Sequence, residues 1–129
     1  MIALDTNILV RYLAEPDTDQ GKLAERLLED GLSADDPGFV SVIVLAELLW
    51  VLKRAYQITV DQQRSLLLQL IDMPQLVVEQ PDIVRKALTL PHLDLADCIL
   101  HEIGQAAGCS QTATFDKRFA RLDKVELVS

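Results

Sequence analysis

The sequence predicts an α/β protein with a largely parallel sheet, and three observations carry that prediction. Short apolar runs alternate with amphipathic stretches along the whole chain. Turn-forming clusters separate them, without repeats, linkers or low-complexity segments. A length of 129 residues, 50% hydrophobic and 25% charged, fits one core and a single domain over residues 1–129, and is too apolar for a disordered acidic chain. Strands separated regularly by helices are expected to lie parallel, because each helix carries the chain back to the edge where the strand began.

Ile2 to Leu4 reads as a buried first strand ending on Asp5, and Ile8 to Leu13 as a helix broken at Glu15-Pro16-Asp17. Lys22 to Leu32 is an amphipathic helix, with Leu23, Ala24, Leu27 and Leu28 on one face and Glu25, Arg26, Glu29 and Asp30 on the other. Asp35-Asp36-Pro37-Gly38 is a turn, followed by a second strand from Phe39 to Val42. Ile43 to Tyr56 carries Val44, Leu45, Leu48, Leu49, Leu52 and Ala55 at helical spacing, and Asp61 to Asp72 forms another helix stopped by Pro74. Leu76 to Val78 is a third strand, Asp82 to Leu90 a helix closed by Pro91, and Asp94 to Ala107 a helix ended by Gly108. Thr112 to Phe115 and Val125 to Val128 complete the set as strands four and five.

The charge balance narrows the function. Twelve Lys and Arg against twenty Asp and Glu give a net charge of −8, and aromatics make up 5%, so neither a basic nucleic-acid patch nor a row of stacking rings is expected. Met1-Ile2-Ala3-Leu4-Asp5 shows no secretory signal, and the run from Val42 to Leu52, interrupted by Glu47, is too short to span a membrane. A cytoplasmic protein without membrane contact is expected. Cys98 and Cys109, about 16 Å apart along a helix, are not placed for a disulfide. Two scattered histidines and no C-x-x-C pair argue against zinc.

Four acids stand in apolar surroundings. Asp5 and Asp116 end strands, while Glu47 and Asp97 sit near helix beginnings, and in a parallel sheet those positions share the edge where ligands bind. Clustered carboxylates repel by about 4 kcal/mol per close pair at an effective dielectric near 20, a cost offset by protons or cations. Mg2+ or Mn2+ suits such an all-oxygen site, and could there activate water and neutralise a phosphodiester.

Leu4-Asp5-Thr6-Asn7-Ile8-Leu9, Leu45-Ala46-Glu47-Leu48, Ala96-Asp97-Cys98-Ile99-Leu100 and Thr114-Phe115-Asp116-Lys117-Arg118-Phe119 resemble the four motifs of the PIN domain, in order and spacing over essentially the whole chain. The resemblance is to its bacterial VapC-type toxins in particular. It implies a PIN-like three-layer α/β/α sandwich of about five strands, ordered 3-2-1-4-5. It further implies an Mg2+- or Mn2+-dependent endoribonuclease, the toxin of a toxin–antitoxin pair, commonly a homodimer and inhibited by a small VapB-like antitoxin. By that resemblance Asp5, Asp97 and Asp116 are metal ligands and Glu47 holds water or a second ion. Thr6, Asn7 and Thr114 are then hydrogen-bonding partners of the acids, with Asp94 either contributing beside Asp97 or capping its helix.

Simpler roles compete at each position. Asp5 and Asp116 could cap the helical turns that follow them, Glu47 could pair with an arginine such as Arg11, and His101 could be a partly exposed bystander. Cys98 reads as a core thiol, and Trp50 and Tyr56 as core or dimer-interface residues. Lys117 and Arg118, with Arg121, Lys124 and Arg11, are candidates for holding the RNA backbone. A phospho-acceptor receiver domain lacks its aspartate after strand three, where Glu79-Gln80-Pro81 follows, and no G-x-G-x-x-G supports dinucleotide binding. A PIN-like module acting without turnover, or a nuclease for DNA or ribosomal RNA, remains the competing function. Residues 14–36 hold eight acids and two bases; outside them and the four candidate acids stand eight acids and ten bases, so acidity is no bar to RNA. The acidic segment could instead meet a basic antitoxin tail.

Overall fold

The apolar N-terminus yields a two-residue strand, β1 (Ile2–Ala3), which pairs parallel with β2 (Gly38–Val40) through Ile2 opposite Gly38 and Ala3 opposite Phe39. β2 pairs parallel with β3 (Leu76–Val78), giving the order β1-β2-β3. A parallel pair needs a crossover, and helices supply each one. Between β1 and β2 run α1 (Thr6–Ala14) and α2 (Asp19–Arg26), the latter passing into a π turn at Leu27–Gly31; between β2 and β3 run α3 (Val42–Tyr56) and α4 (Val60–Asp72). The structure, a computed structural model, describes all residues 1–129, in two compact units, Met1–Glu79 and Gln80–Ser129.

In the first unit each helix start carries an oxygen for its orphan amides. Asp5, Thr18, Ser41 and Thr59 cap α1 to α4, Thr59 forming a reciprocal capping box with Gln62. Gln57, at φ 51°, ends α3 in the left-handed conformation. Gly21 lets α2 start against the end of α1, since a Cβ there would lie 1.8 Å from the Glu15 carbonyl oxygen. Leu9, Leu28, Val40, Leu45, Leu48, Leu52, Leu67 and Leu70 form a core without solvent exposure.

The second unit consists of α5 (Pro81–Ala87), α6 (Leu95–Ala106), β4 (Thr112–Thr114), a 3-10 turn (Phe119–Arg121) and β5 (Val125–Leu127). α5 packs on α6, and β4 pairs parallel with β5 from Thr112 opposite Val125 to Thr114 opposite Leu127. Pro81 opens α5, where its missing N–H is no loss, and Gly108 at φ 95° turns the chain after α6. Val84, Ala87, Leu88, Leu95, Cys98, Ile99 and Phe119 are buried.

The class is therefore the expected α/β with parallel strands, and the neighbours within each sheet, β3-β2-β1 and β4-β5, are those of the expected order. Several local readings change. Ile2 and Ala3 are exposed and only Leu4 is buried, because two residues offer one side chain per face and apolar composition alone does not decide which is covered. The second strand ends at Val40, since Ser41 caps α3 and Val42 already belongs to it. Leu23 is 61% exposed, outside the apolar face that keeps Ala24 and Leu28. The helix expected to reach Leu90 stops at Ala87 and continues as turns. Trp50 is not in the core. No helix is long and apolar enough to cross a membrane.

Candidate active site

In the first unit β1 delivers Asp5 to the start of α1, where its carboxylate accepts the Thr6 N–H at 2.7 Å. The capping role is thus real, and it uses one of the two carboxylate oxygens. Thr6 is buried, and its hydroxyl donates to Glu47 Oε2 at 2.8 Å, so one threonine ties the Asp5 turn to the acid of α3. Glu47 is itself exposed, and the expected alternative of an ion pair with Arg11 does not occur. Arg11 pairs instead with Glu15, one turn along α1, and Glu15 also accepts the Tyr56 hydroxyl. The Tyr56 bond chiefly holds the Glu15 carboxyl below its usual range; burial opposes it, and the charge and hydrogen bond of Arg11 add to the lowering. Arg11 Nε is buried without a hydrogen-bond partner. Asn7 is exposed and lines, with Ile8, Arg11, Leu23 and Leu27, a groove of about 400 Å³ between α1 and α2.

In the second unit Asp94 caps α6 by accepting the Asp97 N–H at 3.1 Å, which places Asp97 in the first helical turn. Burial pushes the Asp97 carboxyl above its usual range, the charge of Asp94 adds to this, and Asp116 adds a little more; the bond and charge of His92 oppose them. Asp116 follows β4 and accepts the N–H groups of Arg118 at 2.8 Å and Phe119 at 3.3 Å. Those two backbone bonds chiefly hold its carboxyl below the usual range. Its own N–H donates to the Thr114 hydroxyl at 3.0 Å, so Thr114 shapes the turn that presents the acid.

His92 is the residue that sequence reasoning missed. It is buried, its Nε2 stands 3.3 Å from Asp97 Oδ2, and its ring stacks on Phe119 with centroids 5.3 Å apart. The one signal was spacing, a histidine two residues before a helix-capping aspartate and five before a second aspartate, and it lies outside any periodic element. His101, expected partly exposed, is buried instead: Nδ1 lies 2.6 Å from the Thr112 hydroxyl and the ring meets Phe119 edge-on. Lys117 and Arg118 are exposed and form no ion pair. A pocket of about 510 Å³, lined by His92, Leu93, Arg118, Arg121 and Leu122 with Pro91, opens beside His92.

The structure thus joins Thr6 to Glu47 in one unit, and Asp94, Asp97, Asp116 and His92 in the other. No group of three or more His, Cys, Asp or Glu side chains is gathered tightly enough to hold a metal ion. The four candidate acids offer carboxylate oxygen without an ion pair to lysine or arginine, the donor type that hard divalent cations prefer. A family model matches the chain over residues 2–125, and it is that of the PIN domain.

The chain belongs to the PIN domain family.

The PIN domain is a nuclease fold that generally depends on divalent metal and acts on nucleic acid. All four candidate acids fall within the matched PIN span. No curated protein matches the chain.

Proposed function

We propose that this PIN chain is an Mg2+- or Mn2+-dependent endoribonuclease acting in the cytoplasm as the toxin of a VapC-type toxin–antitoxin pair, with both units working as one domain. The observation that carries the reading is Asp97: a half-buried carboxylate kept beside two further aspartates, with no basic partner except His92. A structure under no functional demand would neutralise or expose that group.

On this reading Asp5, Asp97 and Asp116 hold the cation. When bound, the cation supplies neutralisation of the phosphodiester and of its leaving oxygen. Glu47, fixed by the Thr6 hydroxyl, orients the attacking water and takes its proton. Thr114 sets the Asp116 turn, Asp94 sets the first turn of α6, and Asn7 adds a hydrogen-bonding group beside Asp5. Lys117 and Arg118, with Arg11, hold the RNA backbone, and the products carry 5′-phosphate and 3′-hydroxyl ends. A small antitoxin with a basic tail covers the acidic residues 14–36, and the protein is a homodimer.

The test is the purified full chain, stripped of any small protein that copurifies, incubated with total RNA and with single-stranded DNA in Mg2+, in Mn2+ and in chelator. RNA cut only with metal, with 5′-phosphate ends on sequencing, is expected. Cleavage undiminished by chelator overturns the proposal, and intact RNA under every condition favours a module that acts through binding alone.

A further inference from the structure

Two of the chain's six aromatic residues are exposed, and both stand beside candidate acids. Phe115, 82% exposed, directly precedes Asp116; Trp50, 60% exposed, follows Glu47 by three residues on α3. α3 is otherwise a core helix, with Leu45, Leu48, Leu49 and Leu52 buried. Ile43, Glu47, Trp50 and Arg54 follow one another at intervals of four, three and four, and all are exposed, so they form a stripe along its open side. The guanidinium of Arg54 lies over the Trp50 ring, 4.6 Å from its centroid. This cation–π contact steadies the indole, and a ring that remains 60% exposed with a guanidinium on one face keeps the other face open. The helical rise puts Trp50 about 5 Å and Arg54 about 10 Å along the axis from Glu47.

We propose that Trp50 and Arg54 form a stacking site for a single-stranded nucleic acid, one base lying on the open face of the indole and a neighbouring phosphate meeting the guanidinium. The inference rests on the nuclease reading and adds to it a binding site on α3. Every base has a π face, but bases in a duplex are covered by their neighbours, so a lone open ring selects unpaired strands. The occupant is nucleic acid rather than protein because the last turn of α3 carries two cations, Lys53 and Arg54, the second lying over the ring, which complements phosphate. The low aromatic content argues against a row of stacking platforms, and it leaves room for one placed a helical turn from a candidate catalytic acid.

Trp50 is the only tryptophan, so its emission reports on the site directly. The full chain carrying Asp97→Asn is titrated in Mg2+ with a short single-stranded RNA and with the same sequence as a duplex. Saturable quenching by the single strand and none by the duplex is expected. With a labelled single strand followed by anisotropy, Trp50→Ala weakens binding about tenfold and Trp50→Phe restores it to within about threefold, because a smaller ring still stacks. Arg54→Ala lowers the salt slope by about 0.7. Absence of quenching, or unchanged affinity in Trp50→Ala, overturns the site. So does emission that shifts with protein concentration alone while Trp50→Ala loses self-association, which would mean that a second copy covers this face. Cleavage by Trp50→Ala with an unaltered KM removes the stacking site and leaves the nuclease standing; Trp50-dependent binding with no metal-dependent cleavage of any strand does the reverse.

Discussion

In residues 1–79 the two candidate acids are exposed and held by single hydrogen bonds to Thr6, Asp5 to its amide and Glu47 to its hydroxyl, whereas in residues 80–129 Asp97 is half-buried among Asp94, Asp116 and His92. The first arrangement fixes geometry with little electrostatic strain. The second stores repulsion, lowering stability wherever Asp97 is charged, and a bound cation would relieve it. On the proposed reading, function and stability are therefore opposed at the first turn of α6 and nearly independent at the first turn of α1.

The largest effect expected from that contrast is at Asp97. Asp97→Asn should reduce metal-dependent cleavage at least about 100-fold while stabilising the metal-free fold by about 1 kcal/mol, a rise of about 4 °C in Tm. The sign follows from the raised pKa. Native Asp97 binds its proton more readily than the unfolded chain does, so ionising it weakens the wild type above its folded pKa. That penalty disappears as pH falls through the raised value into the ordinary carboxylate range. The stability gain of Asp97→Asn should accordingly be present at pH 7 and vanish in acid, as melting curves at several pH values in chelator would read. Adding Mg2+ should raise the Tm of the wild type and not of the variant. A variant less stable than wild type at pH 7 would show that burial and repulsion are not what dominates at this turn.

Thr6→Val probes the other half and should give a smaller, separable effect. Valine keeps the shape and removes the hydroxyl that orients Glu47, so cleavage should fall about 10-fold, the usual consequence of loosening a supporting hydrogen bond. The Thr6 N–H still reaches Asp5, so Tm should move little. Loss of activity matched by an equal loss of folded protein would put Thr6 in the core rather than in the site.

What was legible in the sequence differs between the halves for the same physical reason. β3 was readable to the residue and α3 to within one, because Leu45, Leu48, Leu49 and Leu52 repeat at the helical period and Leu76-Val77-Val78 is an apolar run between turns. Asp94 as the cap of α6 was equally readable, because side-chain capping is a local interaction. The candidate acids were legible through four short motifs, each spanning a strand end or helix start. Leu23, Trp50 and Ile2 were not, since period and composition mark an apolar side chain without saying whether anything packs on it. His92 and His101 escaped because their burial depends on Phe119, far along the chain.

The smallest effect concerns cations, where the halves again differ. Arg11 in the first is engaged by Glu15, while Lys117 and Arg118 in the second are exposed and form no ion pair. Arg118 serves Asp116 mainly through its backbone N–H, which alanine retains, and its side-chain charge is the least of the effects lowering that carboxyl. Replacing Lys117 and Arg118 together by alanine should therefore leave the Asp116 turn in place and weaken RNA binding a few-fold at physiological salt. The plot of log affinity against log salt should flatten by about 1.4, two phosphate contacts on a single strand. Arg11→Ala should flatten it less, because freeing that guanidinium for phosphate means giving up Glu15. If Arg11→Ala flattens the slope more than the double substitution does, the backbone is held by the first half, and the cations after Asp116 are an ordinary solvated face.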